Sequence, residues 1–546
     1  VQWQAADAAS TTYVVNSLSF QPKAIVFVTS GIGSATDAAS AANHQQACVG
    51  FATATSARRC MLASSNDNDG TQRAQMAYRD DAVACSSVHS DTDTTGELDV
   101  TAFASDGFTL TVDDQGTQNL TVHWFAWGGD DITNAEIFAL TEPATATTVE
   151  VNLSGSFQPN VAIVIGGNIA ANPPVFTATA DGTISVGFCT STTSADNVVA
   201  TWNDDDGAGT SDTDRYTKSG EVVALITNGG GNPNTRAILS SFDADGLTFN
   251  FLATANTSRR IMGLAIKGGQ WKSGSYTING NTGSATATVS GLAFQPIGGL
   301  GFTAGLAQSS GTTASTQAKQ SIGGWTSTSS RRAIGMWNED ALSVASNVCT
   351  IVEYDAFLAL PTNTGTAASA FDINAVNSDG FQVIVDTAGG VANEFHGYLV
   401  FASDAAGDRS VSGTTAALTL TPQAATVGRA RGVDGTTAAL TLTPQAATIT
   451  KGSNRDVFCT TAALTLEAQA ATVDRGGLSA RAPAGSKLRF VYVPDHLRKI
   501  DNALVIVEQI EDLAKGDNAT PFDVSPRVRR IKAELSAMVL SYSDIE

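Results

Sequence analysis

Phe20-Gln21-Pro22-Lys23-Ala24-Ile25-Val26-Phe27-Val28 returns as Phe157-Gln158-Pro159-Asn160-Val161-Ala162-Ile163-Val164-Ile165. It returns more loosely as Phe294-Gln295-Pro296-Ile297-Gly298-Gly299-Leu300-Gly301-Phe302, each copy 137 residues after the last. An unbroken register over two such intervals makes residues 1–405 one module written three times. Proline cannot donate to a strand ladder, so it marks an edge or a strand entry. The apolar run behind it, β-branched and bounded by Gly, reads as a central strand buried on both faces.

Other landmarks keep the period. Gly50-Phe51, Gly187-Phe188 and Gly324-Trp325 are again 137 apart, and Asn66, Asn203 and Asn338 follow in acidic turns. Asp106-Gly107, Asp245-Gly246 and Asp379-Gly380 are hairpin signals. Strict alternation follows each: Phe108, Leu110, Val112; Leu247, Phe249, Phe251; Phe381, Val383, Val385. Period two is a strand with one buried face. Each copy closes on an apolar strand, at Val122–Trp127, Ile261–Ile266 and Phe395–Val400. The reading is a mainly β chain of three tandem antiparallel β-sandwich, jelly-roll-like modules at 1–135, 136–270 and 271–405. Spacing drifts only between Asn66 and the closing strand, which assigns that stretch to surface loops.

After Ser403 the texture changes. Thr414–Val427, with the sequence TAALTLTPQAATV at its heart, recurs at Thr436–Ile449 and more loosely at Thr460–Val473. Residues 406–480 therefore read as short β-repeats too poor in large side chains to hold themselves, needing a neighbour or an assembly surface. Residues 481–546 read as a strand plus a small α-helical hairpin. Pro494 opens the first helix, Gly516 stops it, and Ser525-Pro526 caps the second. Its apolar stripes assign it a docking or anchoring role.

The net charge is −21 over 546 residues. The surplus of acid lies in the triplicated part, which disfavours nucleic acid and anionic membranes as partners. No apolar run reaches the ~18 residues of a membrane span. Cys48, Cys60, Cys85, Cys189, Cys349 and Cys459 do not recur in register, so they read as small buried residues, with local pairing open for the first three.

Chemistry is sparse. His44, His89, His123, His396 and His496 lack partners at metal or catalytic spacing. His123 and His396 sit in closing strands, with Met262 at the comparable place in the middle copy. The turns Asn66–Gly70 and Asp204–Gly207 carry acids before Gly, yet neither supplies a calcium loop's ligand pattern. Trp202 and Trp337, each beside an Asn, are candidates for stacking on sugar rings or for anchoring loops as buried indoles. No catalytic, cofactor-binding or metal residue is assigned, and the chain reads as a non-enzyme.

The Phe-Gln-Pro anchors, the Ser-Asp-Gly-Phe turns and the Ala/Thr repeats together resemble structural proteins of tailed bacteriophage virions, of the tail-fibre and minor-tail type. The resemblance covers about 1–475 and implies a virion component assembled in the host cytoplasm. It implies a homo-oligomer, expected to be a trimer, contacting other virion proteins and a host-surface glycan or protein, with no nucleic acid and no membrane insertion. A head fibre or capsid-decorating protein is the alternative, then a polysaccharide-degrading tail spike, then a bacterial surface adhesin.

Overall fold

The computed structural model describes residues 1–403, apart from 42–44, 67–73, 88–93, 171, 179–180, 206–209, 228–230, 309–313 and 342–347. The short repeats and the helical hairpin therefore lie outside the described residues, as do His44, His89, His496 and Cys459.

Every described sheet is antiparallel, and the sheets come in three pairs of seven and four strands. In the first copy the large sheet runs Gln2–Trp3, Leu120–Gly128, Pro22–Ser30, Gln45–Ala54, Ala57–Ser65, Ala74–Arg79. Its small sheet runs Thr12–Val15, Gly107–Asp114, Thr94–Ala104, Ala84–Ser87. Pro22–Ser30, Gln45–Ala54, Ala57–Ser65 and Ala74–Arg79 are neighbours in sequence order within one sheet, where a jelly roll would alternate between two. The order repeats in the second copy, opened by Ile132–Thr141, and in the third, opened by Gln270–Ile278.

The anchors do what their residues dictate. Pro22, Pro159 and Pro296 are buried while the preceding glutamines are exposed. Gln21 and Gln158 donate through Nε2 to Phe103 O and Phe242 O on the small sheet, at 3.4 and 2.6 Å. The Asp-Gly pairs are hairpin turns, and Leu18, Leu153 and Leu292 donate backbone N–H to the carbonyls of Asp106, Asp245 and Asp379 at 2.8–2.9 Å. Beside these turns a Cβ on Gly107, Gly246 or Gly380 would lie 1.7–1.9 Å from a carbonyl oxygen of the neighbouring strand, so only glycine fits.

The seventh strand of each large sheet comes from another copy. Val175–Ala178 of the second copy pairs with Ala74–Arg79 of the first. Ser315–Thr316 of the third pairs with Thr213–Ser219 of the second. Ala38–Ser40 of the first pairs with Val348–Glu353 of the third. The donation is cyclic, and it closes three sandwiches into a ring within one chain. These donor strands lie between the anchor strand and the Gly-aromatic landmark of each copy, where the sequence reading assigns no element.

Ring closure explains why the central strands lack alternation. In Pro22–Ser30, Ile25 and Phe27 enter the first sandwich's own core. Ala24, Val26 and Val28 point the other way, into a cluster shared with Ile163, Ile165 and Phe188 of the second copy and Leu300, Phe302 and Met336 of the third. Phe188 and Phe302 meet there with ring centroids 5.0 Å apart. The looser third copy has a physical cause. A Cβ on Gly301 would lie 2.3 Å from the Phe357 ring, so the glycine makes room for an aromatic that fills the site Phe27 fills in the first copy.

One sequence landmark shifts by a residue. A Cβ on Gly50 or Gly187 would lie 1.8 or 1.9 Å from the carbonyl of Val83 or Val222, and the residue meeting the equivalent carbonyl, of Phe357, is Gly323 at 1.9 Å. Gly323, rather than Gly324, is the third member of the set. Asn66, Asn203 and Asn338 are fully buried, not in solvated turns. Asn203 Nδ2 donates to Thr183 Oγ1 at 2.7 Å, and Asn338 Oδ1 accepts Trp202 Nε1 at 3.3 Å across two copies.

Candidate interaction surface

A groove of about 760 Å³ lies between the first and third copies. Its first wall is the closing strand Leu120–Gly128, with Trp124, Phe125 and Trp127; the third copy supplies Gly324, Trp325, Arg331 and Arg332 opposite. The Phe125 ring occupies the space a Cβ on Gly324 would take, so the walls touch at the floor. Arg332 lies over the Tyr354 ring at 4.9 Å. Ile297, also lining the groove, is 52% exposed and is the most exposed isoleucine of the described residues. The surface is thus aromatic and apolar, with Asp131, Arg331 and Arg332 as its charged lining residues.

Beside the groove the first copy's donor strand meets the third copy's edge. Tyr354 N–H donates to Asp37 Oδ1 at 2.6 Å, and the Tyr354 hydroxyl donates to Ser34 O. The carboxylates of Asp37, Glu353 and Asp355 converge within 4.8 Å. Burial first, then the neighbouring charges of Asp37 and Asp355, push the Glu353 carboxyl up to about 8. His123 packs its ring on Tyr354 at 5.1 Å. Burial, then the cationic N-terminus and Arg332, hold His123 down to about 3, so it stays neutral.

The two closing-strand histidines are not equivalent. His123 lies opposite Val28 and Met262 opposite Ile165, but His396 lies opposite Thr303, one position earlier in the repeat. His396 therefore faces its own sandwich core, hydrogen-bonded to Tyr276 at 2.8 Å and Glu394 at 3.2 Å. A one-residue offset in a strand reverses the face. His123 and Met262 do share a position, as the spacing indicates.

Trp202 and Trp337 are buried, at 0% and 4% exposure, which removes them as sugar-stacking platforms in the folded protein. Trp202 joins the shared core. Asp67–Gly70 and Asp206–Gly207 lie outside the described residues; Asp204 is buried beside them. Cys48, Cys60 and Cys85 are buried free thiols with Sγ atoms 4.0 and 3.7 Å from Cys85. They pack inside the first sandwich's apolar cluster, and burial pushes the Cys60 thiol well up.

Sequence reasoning missed the groove because its walls come from residues near 125 and near 325, joined only by ring closure. Neither a family model, nor a curated protein, nor a solved structure matches the chain.

Proposed function

We propose that the protein is a non-enzymatic structural component of a tailed-phage virion, tail-associated, of the fibre or minor-tail type, that contacts the host surface. The observation that carries this reading is the cyclic exchange of Val175–Ala178, Ser315–Thr316 and Ala38–Ser40 between three sandwiches. Such closure ties three β-units into one body whose threefold repeat suits a threefold position on a symmetric particle. The surplus of acid and the sandwich architecture fit an exposed, soluble projection. In this reading the virion is assembled in the host cytoplasm, the chain self-associates as a homo-oligomer, and residues 406–546 dock it on other virion proteins. The sequence resemblance and the sheet-rich fold support it.

Labelling the protein on purified particles and imaging them tests the proposal. Density at the tail is the expected outcome; absence from particles overturns it. Density on the head favours the alternative of a head fibre or decorating protein, for which the threefold repeat is equally suited. Incubation with host surface polysaccharide should leave the polymer length unchanged. Shortened chains would shift the reading to a degrading spike.

A further inference from the structure

Three of the five cysteines among the described residues meet at one point, inside the first copy. Cys48 and Cys60 come from the adjacent strands Gln45–Ala54 and Ala57–Ser65 of the large sheet, and Cys85 from Ala84–Ser87 of the small sheet. Cys48 Sγ lies 4.0 Å and Cys60 Sγ 3.7 Å from Cys85 Sγ, and all three sulfurs fall within 4.8 Å of one another. The three residues are 0–1% exposed. Thiolate bonds of about 2.3 Å set sulfurs about 4.0 Å apart around a trigonal ion. Two sides of the sulfur triangle already have that size.

The sister copies show what packing asks of this place. Cys48, Ser185 and Ser321 are equivalent, lying opposite Thr29, Gly166 and Thr303 of the central strands. Cys60, Val199 and Ala333 are equivalent, lying opposite Gly50, Gly187 and Gly323. Those glycines face the carbonyls of Val83, Val222 and Phe357, and two residues further on stand Cys85, Ala224 and Ala359. Serine, a small apolar residue and alanine therefore fill the second and third copies where the first carries three thiols. The backbone frame is common to all three. Ser185 Oγ accepts the Ala224 N–H at 3.2 Å and Ser321 Oγ that of Ala359 at 2.9 Å, while Cys48 Sγ accepts the Cys85 N–H. Sulfur at all three corners is thus a property of the first copy and not of the fold.

We propose that Cys48, Cys60 and Cys85 form a three-sulfur site for a thiophilic d10 metal ion, cuprous copper in particular. Soft thiolates select such ions. Among the described residues no His, Asp or Glu joins the group, and the cluster around it is apolar, with Ile25, Phe27 and Leu62. Structural zinc closes its shell with four ligands, whereas a cuprous ion is satisfied by three sulfurs. Binding releases thiol protons to solvent. Ala84–Ser87 is the edge strand of the small sheet, so local opening there admits the ion. Once bound, the ion ties that edge strand to the large sheet. The site goes beyond the virion reading and holds whatever assembly the protein joins.

The test uses the full chain, kept reduced by a non-thiol reductant without oxygen and incubated with cuprous copper held by a chromogenic chelator. The protein should withhold one ion per chain from the chelator. X-ray absorption at the copper edge should show three sulfurs at about 2.3 Å. Cys48→Ser, Cys60→Val and Cys85→Ala together give the first copy the residues of the second, a set that this frame already accommodates. That triple variant should lose the ion, and Cys85→Ala alone should weaken binding by about tenfold or more. Cys189→Ser, Cys349→Ser and Cys459→Ser together should leave uptake unchanged, a readout that stands even if the triple variant does not fold. Zinc in excess should not displace the copper. The proposal is overturned if the protein withholds no copper, or if the copper edge shows nitrogen or oxygen in place of one of the sulfurs. Uptake that survives in the triple variant, uptake lost with Cys189, Cys349 and Cys459, or displacement by zinc overturns it equally.

Discussion

Gly50, Gly187 and Gly323 each face a carbonyl of the segment that crosses to the small sheet, with no room for a Cβ. Replacing Gly187 by Ala forces the Val222 carbonyl to move, and overpacking of this kind costs about 3 kcal/mol. Urea unfolding should show that loss; an unchanged midpoint would mean the close approach is absent. A second residue-scale prediction concerns Glu353. Its folded pKa, about 8, lies above the unfolded value near 4.3. The folded state therefore holds a proton that the unfolded state has released, so stability is full below about pH 4 and is lost as pH rises through 8. Glu353→Gln should raise the melting temperature at about pH 9 and leave it nearly unchanged at about pH 4. His123 slopes the other way, because its folded value near 3 lies below the unfolded 6.5, so its contribution fades as pH falls through that window. Residues whose roles are local were legible: the anchor prolines, the Asp-Gly turns and the alternating strands after them. For Trp202 the buried indole was one of the two readings open and is the one observed, but the core that buries it was not legible, because it is shared with other copies.

At the scale of elements, the three donor strands decide the architecture and are the parts hardest to read. Ala38–Ser40 and Ser315–Thr316 are short, built from Ala, Ser and Thr, and carry no periodicity from which a strand can be inferred. Their partners lie far away in sequence, as with Ala39 opposite Ile351. The central strands, in contrast, announced their burial on both faces; what covers the second face became visible only with ring closure. Proline at Ala38, Ala39 and Ser40 together removes every N–H that the donor strand can give to that edge pairing, and so breaks the ladder. Hydrogen exchange at Thr350–Val352 should then accelerate by about tenfold or more, while Val161–Gly167, remote from the edge, keeps its protection. Unaltered exchange at Thr350–Val352 would show that the donor strand does not pair there.

For the whole molecule, the shared core means that no copy is complete alone. Phe302 lies in it at 0% exposure, against Phe188 of the neighbouring copy. Phe302→Ala should cost about 3–5 kcal/mol, and it should lower the melting of residues 1–403 as one transition, not of the third copy alone. Separate transitions in calorimetry would contradict a common core. The most direct test of ring closure is a cysteine pair at Ala39 and Ile351, which face each other across the first and third copies. Mild oxidation followed by mass spectrometry should yield a disulfide within single chains. A free pair, or bridges formed only between chains, would contradict the closed ring.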